Sequence, residues 1–361
     1  MEKKLKYSLI AIAAFSVFMI GLAVLMPISS ENSEIKTNQT EITDMTGRDV
    51  TIPLEIKRVI STAPASTMLI YMIAPDKLVG WNFDIYKSSK KYIPKKYQNL
   101  PVVGGWFGKQ SGNYENFISL NPDLVIEGFT TSGDILSTIS ERQNMFGTIP
   151  VVAVDNSVNA KNYSQTIEFT GKILGEENTA EELINFYEKY LNLVTERVSA
   201  IPEDEKITVY YAEGPEGIFT DPKGSQHSQL IEICGGKNIA ECKISPGSGK
   251  TEISIEQIIS WNPEVIIVRD KNFYSAVYYN PLWKEIEAVK NKRVYLVPNT
   301  AFSWFNGPPG INQIIGIPWT AKVLYPKKFE DIDMASLTKK YHEQFYHISL
   351  TDDEVNEILN A

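Results

Sequence analysis

The hydrophobic pattern of this chain uses one stretch twice. Tyr114-Glu115-Asn116-Phe117-Ile118-Ser119-Leu120-Asn121-Pro122-Asp123 runs into the apolar Leu124-Val125-Ile126. Ile255-Glu256-Gln257-Ile258-Ile259-Ser260-Trp261-Asn262-Pro263-Glu264 runs in the same way into Val265-Ile266-Ile267. Each copy predicts a short helix opened by a Glu and stopped by Asn-Pro, an acidic residue, and a buried strand. Proline stops the helix because it lacks an N–H and pushes the residue before it out of the helical region. Asn113 and Ser254 stand where N-caps belong, and Ser254 with Gln257 fits a capping box. A helix–strand unit repeated at long range predicts two similar lobes. The gap between two lobes is a usual place for a ligand.

Around these copies, short apolar runs alternate with helical patterns. Strands are predicted at 58–60, 78–81, 124–126, 151–154, 207–211, 265–268 and 294–297, and helices at 66–73 and around 228–234. This alternation predicts an α/β fold with parallel sheets, arranged as two Rossmann-like lobes. Asp44 to Asp49, with Gly47 inside, reads as a turn between two short strands. Residues 160–200 hold the longest helical pattern, weakened early by Gly171 and Gly175. From 179 to 199, Leu183, Phe186, Tyr187, Tyr190, Leu191 and Val194 recur at helical spacing. That helix spans roughly 30 Å and lies between the two copies, so it reads as a long rigid link with the ligand cleft between the lobes. Residues 311–324 predict a helix with Pro318 as an internal defect. Terminal helices are predicted at 337–345 and 352–359, the latter capped by Thr351.

The N-terminus departs from this pattern. Lys3, Lys4 and Lys6 precede an uncharged run from 7 to 28, long enough to span a bilayer with about 20 apolar residues. The lysines predict a cytoplasmic start and an exported remainder. A cleaved signal peptide has the same first two regions, but the run exceeds a usual signal core, which favours a retained anchor. No cysteine lies near it to carry a lipid. The predicted organisation is therefore 1–28 membrane anchor or signal peptide, 29–41 polar tether, 42–159 N-terminal lobe, 160–202 connecting helical segment and 203–361 C-terminal lobe with terminal helices.

Net charge is −9, which excludes a general attraction to nucleic acid. The two cysteines, Cys234 and Cys242, read either as a local disulfide, plausible in an exported chain, or as two buried thiols. Gly247-Ser248-Gly249-Lys250-Thr251 ends like a phosphate loop, but Ile244 occupies the place of the first glycine and no strand leads in. There is no G-x-S-x-G and no H-E-x-x-H, so no enzyme is predicted. His227, His342 and His347 read as solvated surface residues, with no metal site of their own.

Glu115 and Glu256 have two open readings. Each favours the dipole of its own helix, or each docks onto basic residues of a partner. Trp81, Trp106, Phe107, Tyr211, Trp304 and Phe305 fall in loops at strand ends, which face the ligand crevice in open α/β sheets. An aromatic cleft suits a large, partly apolar ligand. Arg269 follows a strand and reads as a contact for a carboxylate, phosphate or oxyanion, or as an ion-pair partner of Asp270. Thr130, Thr131 and Ser132 follow the equivalent strand of the first lobe and read as hydrogen-bond donors.

From about Ile42 onward the chain resembles the substrate-binding proteins of ABC importers for iron–siderophore complexes, haem and cobalamin. The marks are Thr43-Asp44-Met45-Thr46-Gly47-Arg48-Asp49-Val50, Lys57-Arg58-Val59-Ile60, both Asn-Pro units, Gly235-Gly236-Lys237-Asn238 and Ala321-Lys322-Val323-Leu324-Tyr325-Pro326. The resemblance implies two α/β lobes joined by one long helix, and a Glu on each lobe, here Glu115 and Glu256, docking into arginine pockets of a permease. It implies ATPase subunits behind that permease, a monomeric receptor outside the cytoplasm, and a metal complex as transported ligand with no resident cofactor. One branch resembles molybdate- and tungstate-binding proteins, and the ending 322–326 and the loop 302–309 are similar to that branch. No evident triad of cleft arginines is present for a catecholate siderophore. A metal-cluster enzyme subunit would need Cys and His ligands facing the cleft, which Cys234 and Cys242 fit poorly. A sensor or interaction ectodomain is the remaining alternative.

Overall fold

A computed structural model describes residues 38–130, 134–156, 159–245 and 250–360. The expected anchor or signal peptide, most of the tether, Thr131, Ser132 and Gly247 to Gly249 lie outside the described residues. Among the described residues no helix is long and apolar enough to cross a membrane.

The first strand, β1 (Gln39–Thr43), begins inside the stretch expected as tether and pairs antiparallel with β2 (Asp49–Pro53). The Asp44 carboxylate closes the turn between them. It accepts from the Thr46 and Arg48 backbone N–H groups at 2.9 and 3.1 Å, and from Arg48 Nη2 at 2.6 Å.

Two separate parallel sheets follow. The first contains β3 (Val59–Ser61), β4 (Leu124–Phe129) and β5 (Val151–Asp155), in that order. The expected strand at 78–81 makes only single parallel bridges, Leu78 to Val59 and Trp81 to Val102. The second sheet contains β6 (Thr208–Ala212), β7 (Lys237–Asn238), β8 (Val265–Val268) and β9 (Val294–Leu296), in the order β9-β8-β6-β7. Successive side chains point to opposite faces of a strand. Val125, Val151 and Ala153 therefore pack on the outer face of the first sheet, and Tyr210, Ile266 and Val268 on that of the second. Leu124, Ile126, Val152, Val209, Tyr211, Val265 and Ile267 all enter one continuous core.

The long helical pattern is two helices, α1 (Ser164–Leu174) and α2 (Glu177–Ser199). Gly175 ends α1 with φ +66°, a conformation glycine adopts without a Cβ penalty. At Gly171 the two helices run so close that an added Cβ would stand 2.3 Å from Cβ of Ala180. Leu183, Phe186, Tyr187, Val194 and Val198 of α2 belong to the core that also takes one face of each sheet. The link is thus built into the interior of both lobes.

The repeated unit forms α3 (Tyr114–Ile118) before β4 and α4 (Ile255–Trp261) before β8. The Asn113 side chain accepts from Glu115 N at 2.9 Å, and Ser254 Oγ from Gln257 N at 3.2 Å, one half of the expected box. Asn121 and Asn262 take φ +46° and +45°, the left-handed region that Asn tolerates best among residues with a side chain. The acidic residue after each proline has a structural task. Asp123 accepts from the backbone N–H groups of Lys57 and Arg58 at 2.8 and 2.9 Å. Glu264 accepts from Thr208 N at 2.8 Å and Thr208 Oγ1 at 3.0 Å. Each staples the start of the neighbouring parallel strand.

Three further expectations are corrected. Residues 311–324 divide into a 3-10 turn, Ile311–Gln313, and a helix, Gly316–Leu324. Pro318 lies in that helix's first turn, where an N–H has no intrahelical acceptor and costs nothing to lose. Cys234 and Cys242 are both free; Cys234 is buried with Sγ 3.3 Å from Ile317 O. None of the three histidines is a solvated surface residue. His342 donates from Nδ1 to Thr338 O at 2.8 Å, leaving Nε2 to accept from Thr300 Oγ1 at 2.9 Å. Burial pushes its pKa down to about 4. His347 reaches Tyr71 O at 2.9 Å. Thr351 caps Asp352–Leu359 as expected, and Glu354 completes a capping box with it.

Candidate functional site

The carboxyl ends of β3, β4 and β5 face a long loop of the second lobe, 299–309, across a cavity of about 720 Å³. From the first lobe come Ala63 and Pro64 at the start of the helix Pro64–Ile73, Gly128 near the end of β4, Thr130 after it, and Asn156 after β5. Gly128 has to be glycine, because an added Cβ would lie 2.3 Å from both Asn156 Oδ1 and Ser66 Oγ. Phe83, Asp84, Tyr86, Trp106 and Phe107 complete this wall. Gln226, His227, Phe302, Ser303 and Pro308 face them from the second lobe.

Of the residues singled out in sequence, Trp106, Phe107 and Thr130 line the cavity. Trp81 does not: it is fully buried, donates from Nε1 to Tyr97 O at 2.8 Å and packs behind Phe83. Tyr211 and Phe305 are also fully buried and stack on each other at 4.7 Å. Trp304 is buried with Nε1 3.2 Å from Thr300 Oγ1. Tyr211 is core because it lies within β6 with its side chain on the inward face, and the other three because the segments that carry them fold back onto the sheets.

Arg269 is engaged from within. Its Nη1 donates to Glu213 Oε1 at 2.9 Å, while Asp270, the partner offered by sequence, caps the helix Lys271–Ala276 instead. Glu213 follows Ala212 as Arg269 follows Val268, and Ala212 and Val268 are paired in the parallel register. Lys250 approaches the same carboxylate at 3.6 Å.

His227, Asp84, Tyr86, Asn156 and Phe302 were not singled out as cavity residues by sequence. His227 belongs to a buried polar chain. Asn306 Nδ2 donates to Asp221 Oδ2 at 3.0 Å, which turns the amide oxygen to His227 Nδ1 at 2.8 Å. A carbonyl only accepts, so Nδ1 carries a proton, and His227 itself lines the cavity. Burial first and then the neighbouring Glu213 raise the Asp221 pKa to about 8, against the smaller pull of Lys250 and Arg269.

The folded protein therefore holds a proton on Asp221 that the unfolded chain loses near the ordinary value of 3.8. This contribution to stability is complete below about pH 4 and is lost as pH rises toward 8. Asp221→Asn keeps the shape of the protonated acid. The variant is expected to lose less stability than wild type between pH 5 and pH 8 in urea unfolding. An equal loss in both would show that Asp221 does not hold that proton.

Trp106 ties the cavity to α3. Its ring lies 4.6 Å from Tyr114 and 5.3 Å from Phe117, both on α3. The Arg142 guanidinium stacks 4.0 Å over Trp106, donates to Tyr114 Oη at 2.6 Å and faces Glu127 of β4 at 3.3 Å. Glu115 on α3 and Glu256 on α4 are exposed, and neither has an ion pair among the described residues. No group of three or more His, Cys, Asp or Glu among the described residues is placed to hold a bare metal ion.

Residues 59–301 match the family model described as Periplasmic binding protein. The chain belongs to the periplasmic binding protein family. It is a substrate-binding component of an ABC transporter, not an enzyme. An ABC transporter solute binding protein from Sulfurospirillum deleyianum is 30% identical, with TM-score 0.82 over 89% of this chain and 99% of that one. The molybdate-binding protein MolA of Haemophilus influenzae is 26% identical over 86% of this chain and 92% of its own length. A vitamin B12-binding protein of Vibrio campbellii is 26% identical over 70% and 84%. As a family member, this receptor works with a permease and an ATPase and binds a small ligand.

Proposed function

We propose that this receptor captures a metal chelate, such as an iron complex or cobalamin, and delivers it to its permease. The observation that carries the reading is the cavity between the lobes, about 720 Å³ with aromatic walls and, among the described residues, no Lys or Arg in its lining. Cavities of roughly 300–1,000 Å³ are typical of small-molecule sites. A tetrahedral oxyanion of five heavy atoms fills on the order of 150 Å³, taking about 30 Å³ per water-sized atom. Among the described residues Asp84 is the one Asp, Glu, Lys or Arg in the lining, so a neutral or cationic complex is favoured. Nε2 of His227, with no hydrogen bond among the described residues, would meet an open position on the ligand's metal or a donor on its periphery.

The oxyanion reading has one observation in its favour. The helix Pro64–Ile73 opens at the cavity without a side-chain cap, and uncapped N–H groups favour negative charge. The likeness to a molybdate-binding protein points the same way. Glu115 and Glu256 serve as the docking carboxylates, residues 1–28 hold or once directed the chain to the membrane, and binding takes place outside the cytoplasm. The shared core through α2 supports a hinge of small amplitude.

Calorimetry of the exported part against ferric hydroxamates, ferric catecholates, haem, cobalamin, molybdate and tungstate tests the assignment. One chelate is expected to bind at micromolar Kd or tighter, and His227→Ala to weaken it about tenfold, the equivalent of one lost hydrogen bond to a metal-bound or charged group. Binding of molybdate or tungstate alone would replace the chelate reading by the oxyanion one. No binding across the panel would overturn both readings and put the ligand among small molecules outside it.

A further inference from the structure

We propose that Ile118 and Ile259 are apolar anchors of the permease-docking faces, seated beside Glu115 and Glu256 in the same contact. The inference rests on the docking reading of those two glutamates. Both isoleucines lie three residues after the glutamate in matched copies of the repeated unit, and residues three apart are neighbours on a helix surface. Their exposures agree, 38% for Ile118 and 39% for Ile259. Neither takes part in the hydrophobic core of its lobe, whereas the residue before each, Phe117 and Ile258, is fully buried. The inward face of each helix is already served.

A single exposed apolar side chain is ordinary. Here it recurs at one position in both lobes, while the exposed positions around it, Asn116 and Ser119 in one and Gln257 and Ser260 in the other, are polar. An exposed helix position gains nothing from a β-branched apolar residue. Each face thus offers a carboxylate with no ion pair among the described residues and an isoleucine beside it. That pair fits a permease surface on which an Arg or Lys borders an apolar hollow. The charge would govern encounter and orientation, and the buried isoleucine would slow release.

The test measures binding of the full-length receptor to its own permease–ATPase complex in nanodiscs, by surface plasmon resonance at low and high salt. The variants are I118S/I259S and E115K/E256K. The isoleucine pair is expected to bind about tenfold more weakly through faster dissociation, with the salt dependence kept. The glutamate pair is expected to lose binding together with its salt dependence. Wild-type affinity for I118S/I259S beside failure of E115K/E256K overturns the anchors and leaves the docking reading intact. Wild-type affinity for both removes the docking reading itself. I118T/I259T keeps the β-branched shape; it is expected to melt as wild type and still to bind weakly, and normal binding by that folded variant also overturns the anchors.

Discussion

Replacing Arg142 by Leu is expected to lower the stability of the fold by about 3–5 kcal/mol, the usual cost of stranding one member of a buried ion pair. Arg142 and Glu127 expose only 8% and 6% of their side chains, so solvent does little to screen them. Natural folds are stable by about 5–15 kcal/mol, so the loss is a large fraction of the whole. Burial already raises the Glu127 pKa, and Arg142 opposes that rise. Without Arg142 it climbs further, so the folded variant retains a proton that the unfolded chain gives up. By linkage, the cost is then smaller in mild acid and grows as pH rises through the folded-state value. Urea unfolding at pH 5 and pH 8 reads this directly. Adding Glu127→Gln removes the stranded charge and is expected to restore part of the stability at pH 8. A single variant that unfolds like wild type at both pH values would show that the pair contributes nothing.

Charge reversal at Glu115 and Glu256 is expected to abolish transport while leaving ligand affinity unchanged. Both residues sit on the outer surface, in the first turns of α3 and α4, and neither lines the cavity. On the proposed docking role, a lysine placed there would meet a basic permease surface with like charge, a juxtaposition that costs several kcal/mol. It also opposes the dipole of its own short helix, by only about 0.3–1 kcal/mol, so the fold survives. Uptake by cells carrying E115K/E256K, set beside calorimetry of the same purified variant, separates transport from binding. Normal uptake would return both residues to a role in helix stability alone.

These predictions use residues of different legibility. Glu115 and Glu256 stand out because the repeated unit places them in matched positions along the chain. Arg142 does not, since its three partners, Trp106, Tyr114 and Glu127, come from a loop, a helix and a strand that no local pattern brings together. The cavity shows the same division. Trp106 and Phe107 reach it, but Trp81, Tyr211, Trp304 and Phe305 share their sequence context and lie in the core. A position at a strand end says that a side chain is near the crevice, not which way its loop turns. The histidines were misplaced for a related reason: a buried neutral imidazole with two hydrogen bonds and an exposed one look alike in sequence.

The amino-acid order alone determined what depends on neighbours a few residues apart: the helix starts at Asn113 and Ser254, the stops at Asn-Pro, the buried strands and the long helix between two like lobes. These follow from backbone geometry and hydrophobic period, which act locally. Only the tertiary structure decided that Glu213 neutralises Arg269, that Asn306 orients His227, that Asp123 and Glu264 staple distant strands, and that no disulfide joins Cys234 to Cys242. Those contacts arise from strand register and from loops folding back on the sheets, so they join residues whose separation along the chain carries no signal.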